Sequence, residues 1–162
     1  MRTVKFRGKK VTNGVWAYGS LVYLDENGAA IYVQTDNGSA KVMDLVYVHP
    51  DTVCQFTGFL DKNGKEIYEG DVLRSDEYPY SCIGDKKRDN YYAVVYYCEE
   101  GACFGTVTVK NPSSDVGGIS DGILDDVERE KMKNFEVIGN VYDDEWKQYR
   151  EYIQEEDEEQ HP

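Results

Sequence analysis

The sequence lacks any apolar run near the roughly 18 to 20 residues that a membrane-spanning helix requires, and its mean hydropathy is negative. Its start lacks the basic, apolar and small-residue segments of a secretory signal. Its 4 cysteines are therefore expected to be reduced thiols. Together these absences predict a soluble cytoplasmic protein that makes no membrane contact.

Motifs of known chemistry are also missing. The sequence has no glycine-rich phosphate loop, nucleophile elbow or dinucleotide fingerprint, and its 2 histidines are His49 and His161. Cys98 and Cys103 have a spacing seen in zinc sites, but the other cysteines, Cys54 and Cys82, are distant from them. Idle thiols are favoured, and a hairpin disulfide between Cys98 and Cys103 remains an alternative.

Acidic residues are abundant rather than organised. With 31 Asp and Glu residues, close groups such as Glu66, Glu69 and Asp71 arise without any catalytic role. The segment that begins at Asp61 is not a calcium loop, because Glu66 stands at the sixth position, where such a loop needs glycine. The sequence therefore predicts no enzyme, no catalytic residue, no metal and no cofactor.

Positive charge is scarce as well. The formal net charge is −13, and residues 143–162 contain nine acids against two bases. Because binding to a phosphate backbone needs clustered Lys and Arg, nucleic acid is a disfavoured partner. The alternating bases between Arg2 and Lys10 and the run Lys86-Lys87-Arg88 are predicted to be a solvated edge strand and a loop.

The residues that are present favour strands. Tyrosine is frequent, with 14 residues, and mostly has β-branched neighbours. Polar turns that contain Asn-Gly predict a β-meander over residues 16–48, and a second hairpin is predicted from residues 91–98 and 103–110. Residues 74–90 lack periodicity and are predicted to be a loop. Short strands without long amphipathic helices between them favour a small, largely antiparallel barrel.

Two short helices are predicted towards the end of the chain, the first over residues 122–134. The second follows a strand at residues 135–142 and presents one aromatic stripe, which either packs on its own chain or contacts a partner. This stripe is the candidate interface and consists of Trp146, Tyr149, Tyr152 and Ile153. Residues 1–142 are thus predicted to form a β domain, and residues 143–162 an acidic C-terminal helix or tail.

Four segments carry a family resemblance. They are Lys5-Phe6-Arg7-Gly8-Lys9, Trp16 to Ser20, the block from Gln55 to Val72, and Phe135 to Tyr142. In order and spacing they resemble the YopX family of phage and prophage proteins, and the central block is the most specific. The resemblance implies a compact SH3-like barrel with helical decoration, a bacterial host cell and assembly into oligomers. It implies no catalytic motif, since the family has no established biochemical role.

The central block also has a physical interpretation of its own. Gly58, Gly64 and Gly70 permit positive φ or close approach of backbone, while Phe56, Ile67, Tyr68 and Val72 offer apolar surface to a core. We therefore expect this block to shape the sheet rather than to perform chemistry.

The expected function is that of a non-enzymatic accessory protein that acts through protein contacts, as a homo-oligomer or with a host or phage protein. Two alternatives stay open. The charge of −13 suits an acidic decoy for a host nucleic-acid-binding protein. Direct nucleic-acid binding by the barrel rests on analogy of fold and on the basic strand alone.

Overall fold

The computed structural model describes residues 3–25, 28–36, 41–76, 91–110, 119–123, 133–151 and 153. Eleven strands lie within these residues, so the protein is mainly β, as predicted. They are β1 Phe6–Lys9, β2 Trp16–Asp25, β3 Gly28–Asp36, β4 Lys41–Val48, β5 Cys54–Leu60, β6 Glu66–Tyr68, β7 Asp71–Ser75, β8 Tyr91–Cys98, β9 Cys103–Lys110, β10 Ile119–Ile123 and β11 Glu136–Asn140. No helix in this part of the chain has the length and apolar character to cross a membrane.

The strands form two antiparallel sheets. The first has the order β4-β3-β2-β1-β5-β6 and the second the order β10-β9-β8-β7-β11. Within the described residues the end strands of each sheet do not pair with one another, so neither sheet closes into the predicted barrel, and its SH3-like character is not confirmed. The chain divides into two compact units, Met1–Gly58 and Phe59–Pro162. The boundary expected at residue 142 is a different division and stays a prediction.

The first unit is built on the predicted meander. Ile31 on β3 pairs with Leu21 on β2 and with Val46 on β4, and these side chains share the face that joins the core. Ala17 and Val48 are buried in the same cluster. Because successive side chains of a strand point to opposite faces, the residues next to Leu21, Ile31 and Val46 along each strand lie on the face away from the core.

β1 lies inside the first sheet, which corrects the prediction of a solvated edge strand. It pairs with β2 on one side and with β5 on the other, so that Arg7 stands opposite both Tyr18 and Cys54. Arg7 is 3% exposed. The alternation of bases and apolar residues in β1 is equally compatible with an edge and with an interior strand, and the pairing with β5 decides between them.

The second unit buries both faces of its central strand. Ala93 and Val95 on β8 join a cluster with Leu73, whereas the intervening Val94 joins another cluster with Val72. A strand covered on both faces reads as a continuous apolar run rather than an alternating one. The hairpin of β8 and β9 has the predicted bounds, and its strands pair Cys98 with Cys103 at the turn.

The two predicted helices and the predicted loop over residues 74–90 differ in the structure or lie partly outside the described residues. Gly122 and Ile123, the start of the first predicted helix, belong to β10, and residues 124–132 lie outside the described residues. The predicted loop begins later than expected, since β7 continues to Ser75, and residues 77–90 are also outside. A 3₁₀ turn, Lys147–Tyr149, lies where the second helix was predicted, and Glu151 and Ile153 are helical, but a longer C-terminal helix is not confirmed within the described residues.

The carboxylate of Asp61 binds three backbone amides. Its Oδ1 accepts hydrogen bonds from the amides of Asn63 at 2.7 Å and Lys65 at 2.8 Å, which closes the turn before β6. Its Oδ2 accepts from the amide of Val137 on β11 at 3.1 Å, and the Lys62 amide donates to the Phe135 carbonyl at 2.8 Å. Asp61 is 6% exposed. The turn therefore covers the outer edge of β11 with hydrogen bonds.

Asp71 and Asn140 make a second buried link. Asp71 is 1% exposed, and its carboxylate accepts from the Tyr68 amide at 2.8 Å and from Asn140 Nδ2 at 3.2 Å. The bend between β6 and β7 passes through Gly70, whose φ of 72° is the left-handed conformation that favours glycine. Gly70 in turn donates its amide to Val95 and accepts from the amide of Val141. The bend thus ties β8 to the end of β11.

Asp61→Ala should destabilise the fold by about 3 kcal/mol or more, because three amides lose a charged acceptor and one of them is buried. Asp61→Asn keeps one oxygen acceptor and should cost less. Urea unfolding measures both, and Asp76→Ala, at an exposed acid, should change stability by less than about 0.5 kcal/mol. A wild-type stability for Asp61→Ala would contradict the assigned role.

Glu136 should make stability depend on pH. Its Oε2 lies 2.7 Å from Lys62 Nζ and 3.1 Å from Arg74 Nη2. The hydrogen bond from Lys62, aided by the positive charges of Lys62 and Arg74, lowers the pKa of the Glu136 carboxyl below its ordinary value. A lowered pKa stabilises the fold above the unfolded-state pKa, and this contribution is lost as pH falls through the folded-state pKa.

Glu136→Gln should therefore be less stable than the wild type near neutral pH, and the difference should shrink as pH falls from about 5 to about 3. Urea unfolding at a series of pH values measures it. A difference that stays constant over this range would show that the ionised carboxylate is not what stabilises this contact.

Candidate interaction surface

Apolar side chains are exposed on one face of β2, β3 and β4. Tyr32 on β3 pairs with Ser20 on β2 and Leu45 on β4, so these residues and those two positions away share a face. This outer face consists of Tyr18, Tyr32, Met43, Leu45 and Tyr47, which are exposed by 43%, 40%, 45%, 42% and 57%. A concentration of large apolar side chains on a single face is typical of an interaction surface.

A groove of about 450 Å³ lies along this face. Tyr18, Tyr32 and Met43 of the outer face line it, together with Val4, Lys5 and Gln34. No Asp, Glu, His or Cys side chain belongs to its lining. The Tyr18 and Tyr32 rings and the Met43 side chain provide apolar surface for contact.

The outer edge of β4 is only partly covered. The Val11 amide donates to the Tyr47 carbonyl at 3.2 Å, and Lys10 forms a bridge with Val48. Because backbone groups alternate along a strand, the amides and carbonyls of Leu45 and Met43 point to the same outer side as those of Tyr47. In the described part of the chain β4 pairs with no strand other than β3. The segment 41–45 therefore presents an edge to which another strand can bind.

Arg7 and Lys9 on β1 both pack against the Trp16 ring. The guanidinium carbon of Arg7 lies 4.4 Å from the centre of the Trp16 ring, and Lys9 Nζ lies 5.4 Å from it. Arg7 is buried, so its charge is engaged within the sheet, where cation–π attraction is strengthened by desolvation. Arg2 and the run Lys86-Lys87-Arg88 lie outside the described residues.

Candidate metal ligands are dispersed in the part of the chain that the structure describes. Among the described residues, no group of three His, Cys, Asp or Glu side chains could hold an ion. Cys54 is buried at 1% exposure and donates to the Thr52 carbonyl, while Cys98 and Cys103 are half-buried reduced thiols. Cys82 and His161 lie outside the described residues.

The side chains of Asp71 and Glu66 and the backbone of Glu69 make hydrogen bonds within the chain. Asp71 accepts from a backbone amide and from Asn140, and Glu66 accepts a hydrogen bond from the Tyr68 hydroxyl at 2.7 Å. The carbonyl of Glu69 accepts from Asn140 Nδ2 at 3.3 Å. These contacts hold the bend between β6 and β7, as expected for a block that shapes the sheet.

The predicted aromatic stripe packs on its own chain. Trp146, Tyr149 and Ile153 lie against the cluster of Val72, Val94, Val109 and Val141. Trp146 covers Gly139 so closely that a β-carbon there would overlap Nε1 and Cδ1 of the indole. Tyr152 lies outside the described residues. Of the two possibilities left open, the structure has the intramolecular one for these three residues, and their role as an interface stays a prediction.

Gly139→Ala should destabilise the protein by about 1–3 kcal/mol, because the added methyl group displaces the Trp146 ring. In a Trp146→Ala background the same substitution should lower the free energy of unfolding much less. The two single effects together should therefore exceed the effect of the double variant by about 1 kcal/mol or more, which is the coupling energy of the two sites. Urea unfolding of the two single variants and the double variant measures this coupling. Additive effects would mean that Trp146 does not rest on Gly139.

Charge is distributed unevenly over the two units. Residues 1–58 contain six Lys and Arg and five Asp and Glu, a net of +1, so residues 59–162 carry −14. The outer face thus belongs to a nearly neutral unit of a strongly acidic protein. Two such faces meet with less electrostatic repulsion than two copies of the second unit.

The sequence predicts the strands of this surface but not the surface itself. The predicted meander over residues 16–48 includes β2, β3 and β4, but nothing in the sequence indicates that β4 stands at an edge. The chain around Met43 and Leu45 carries only an apolar strand pattern interrupted by Asp44. Whether such a strand is central or peripheral depends on its partners.

The chain is similar to known proteins in sequence and in fold. A family model described as YopX protein matches residues 5–145, which include all four segments that carried the resemblance. Among solved structures, the chain is similar to the crystal structure of protein EF1440 from Enterococcus faecalis, with 17% sequence identity and a TM-score of 0.47. That match covers 88% of this chain and 95% of the other. No curated protein matches the sequence.

Proposed function

The chain belongs to the YopX family, and we propose that it acts as a non-enzymatic phage-type accessory protein through contacts between its own copies. The proposed contact is an antiparallel pairing of β4 with β4 of a second copy. The observation that carries the proposal is the coincidence of the apolar outer face with an edge whose segment 41–45 directs backbone groups outwards. Addition of a strand to such an edge supplies main-chain hydrogen bonds, and the neighbouring side chains supply specificity.

A two-fold axis at Met43 gives a favourable register. This axis pairs Lys41 with Leu45 of the second copy and continues the outer face of one copy into that of the other. An axis at Asp44 would instead place two aspartates opposite each other, and like charges in that position are destabilising. A closed, self-complementary contact of this kind limits the assembly to a dimer at this edge.

The charge distribution supports a contact through the first unit. The proposed interface lies in residues 1–58, with a net charge of +1, whereas the remaining residues carry −14. Salt screens the repulsion between the acidic parts of two copies, while the contact itself consists of apolar side chains and backbone hydrogen bonds. Added salt should therefore leave the dimer intact or strengthen it.

Substitutions at Leu45 test the register as well as the surface. Leu45→Lys would place a positive charge opposite Lys41 of the second copy, and the two-fold axis would repeat this contact. Because like charges opposite each other are destabilising, the substitution should raise the dimer dissociation constant about tenfold or more. Leu45→Glu would meet the same lysine with opposite charge and should change the constant by less than about threefold. Sedimentation equilibrium over a range of protein concentrations measures both.

Leu60→Lys is the matched control, since Leu60 is a leucine on a strand with 51% exposure, compared with 42% for Leu45. It should leave the dissociation constant unchanged, and thermal unfolding should show that all three variants are folded. A wild-type protein that stays monomeric at high concentration would contradict the proposal. Equal effects of Leu45→Lys and Leu60→Lys would show that the contact lies elsewhere.

An acidic decoy is the second candidate, because the second unit concentrates −14 of charge. Such a protein would bind a basic nucleic-acid-binding protein of the host rapidly, and the binding would weaken with salt. Pull-down from host lysate at low and high salt distinguishes the two functions. Direct binding of nucleic acid has less support, since Arg7 is buried against Trp16.

A further inference from the structure

The turn between β8 and β9 brings two cysteine side chains together. Cys98 ends β8, Cys103 begins β9, and the two residues are directly opposite in the hairpin register. A β-carbon on Gly101 would lie 2.9 Å from Cys103 Sγ and 3.6 Å from Cys98 Sγ. Both sulfur atoms therefore border the same small space at the turn.

Neighbouring side chains fix this register. Tyr97 and Phe104 form the next pair, and their ring centroids are 5.2 Å apart in an edge-to-face arrangement. One pair further along, the Tyr96 ring covers Gly105, where a β-carbon would lie 2.7 Å from Tyr96 Cε1. A slip of one residue would break both contacts and reverse the faces, so the cysteines stay opposite each other.

We propose that Cys98 and Cys103 form a reversible dithiol, which closes to a disulfide when a small-molecule disulfide such as oxidised glutathione reacts with it. Opposite residues of an antiparallel pair have Cα atoms about 4.5–5.5 Å apart, within the range of about 4.4–6.8 Å that a disulfide spans. Both side chains are half-buried, so a small reagent reaches them, whereas Cys54 is 1% exposed.

The reaction is two successive thiol–disulfide exchanges. One cysteine loses its proton, and its thiolate attacks the small disulfide, forming a mixed disulfide and releasing one thiolate, which takes up a proton. The thiolate of the other cysteine then attacks the protein sulfur of the mixed disulfide and releases the second small thiol. The pair of cysteines loses two electrons and two protons, and the small disulfide gains both.

Closure would couple the redox state of the pair to the stability of the second unit. The bond would join the ends of β8 and β9, and β8 carries residues of both apolar clusters of that unit. The equilibrium constant for disulfide formation is larger in the folded than in the unfolded protein by a certain factor. By linkage, the disulfide raises the folding equilibrium constant by the same factor. The hairpin would then be more stable in oxidising than in reducing conditions.

The test measures how strongly the fold favours closure. The double variant Cys54→Ser/Cys82→Ser keeps only the two cysteines of the proposed pair. This variant is equilibrated in buffers with defined ratios of reduced to oxidised glutathione, and the exchange is then quenched with acid. The free thiols are alkylated, and intact mass spectrometry measures the fraction of each redox form. We expect an intramolecular disulfide between Cys98 and Cys103. The exchange equilibrium gives the effective concentration of one cysteine thiol at the other, and we expect this value to be at least about tenfold higher in the folded protein than in urea. Peptide mapping of the oxidised wild type should locate the same bond, which keeps the test valid should the serine variant fail to fold.

Gly101→Ala tests the geometry directly. Its β-carbon would lie 2.9 Å from Cys103 Sγ and must displace that thiol. We expect the substitution to lower the effective concentration in the folded protein and to leave the value in urea unchanged. Equal values in folded and unfolded protein, or cysteines that stop at the mixed disulfide with glutathione, would overturn the proposal.

Discussion

Two buried carboxylates that bind backbone amides organise the second unit. Asp61 joins the turn before β6 to β11, and Asp71, through Asn140, joins the bend before β7 to the end of the same strand. A buried charge is costly unless hydrogen bonds satisfy it, and amide donors supply these bonds to both acids. The glycine-punctuated block thus converts two turns into fixed contacts between strands distant in sequence.

The same contacts explain why the two sheets differ at their edges. The outer side of β11 is occupied by Asp61 and Lys62, which bind the backbone groups of Val137 and Phe135. Among the described residues, the corresponding cover at β4 reaches Tyr47 and Val48. An edge that is covered by its own chain is unavailable for pairing, so the exposed segment of β4 is where the proposed assembly is placed.

Local pattern was sufficient to predict the mainly β class and the hairpin of β8 and β9. It also indicated positive φ or close backbone approach at Gly58, Gly64 and Gly70, and all three have positive φ. These features depend on neighbouring residues and on the special freedom of glycine. The contact of Asp61 with Val137 joins residues 76 positions apart, and no periodicity marks it. The interior position of β1, the packing of Trp146 on Gly139 and the open sheets likewise depend on which distant strands meet. A period-two pattern fixes the face of a strand but not its neighbours.

Amide hydrogen exchange at Val137 and Tyr68, resolved residue by residue by NMR, tests most directly whether the acids of the central block hold the sheet together. Both amides donate to buried carboxylates rather than to a neighbouring strand. We expect both amides to exchange as slowly as those in the middle of β8, through opening of the whole unit. Exchange as fast as that of exposed turn amides would show that Asp61 and Asp71 do not bind them, and would contradict the structural role assigned to the block.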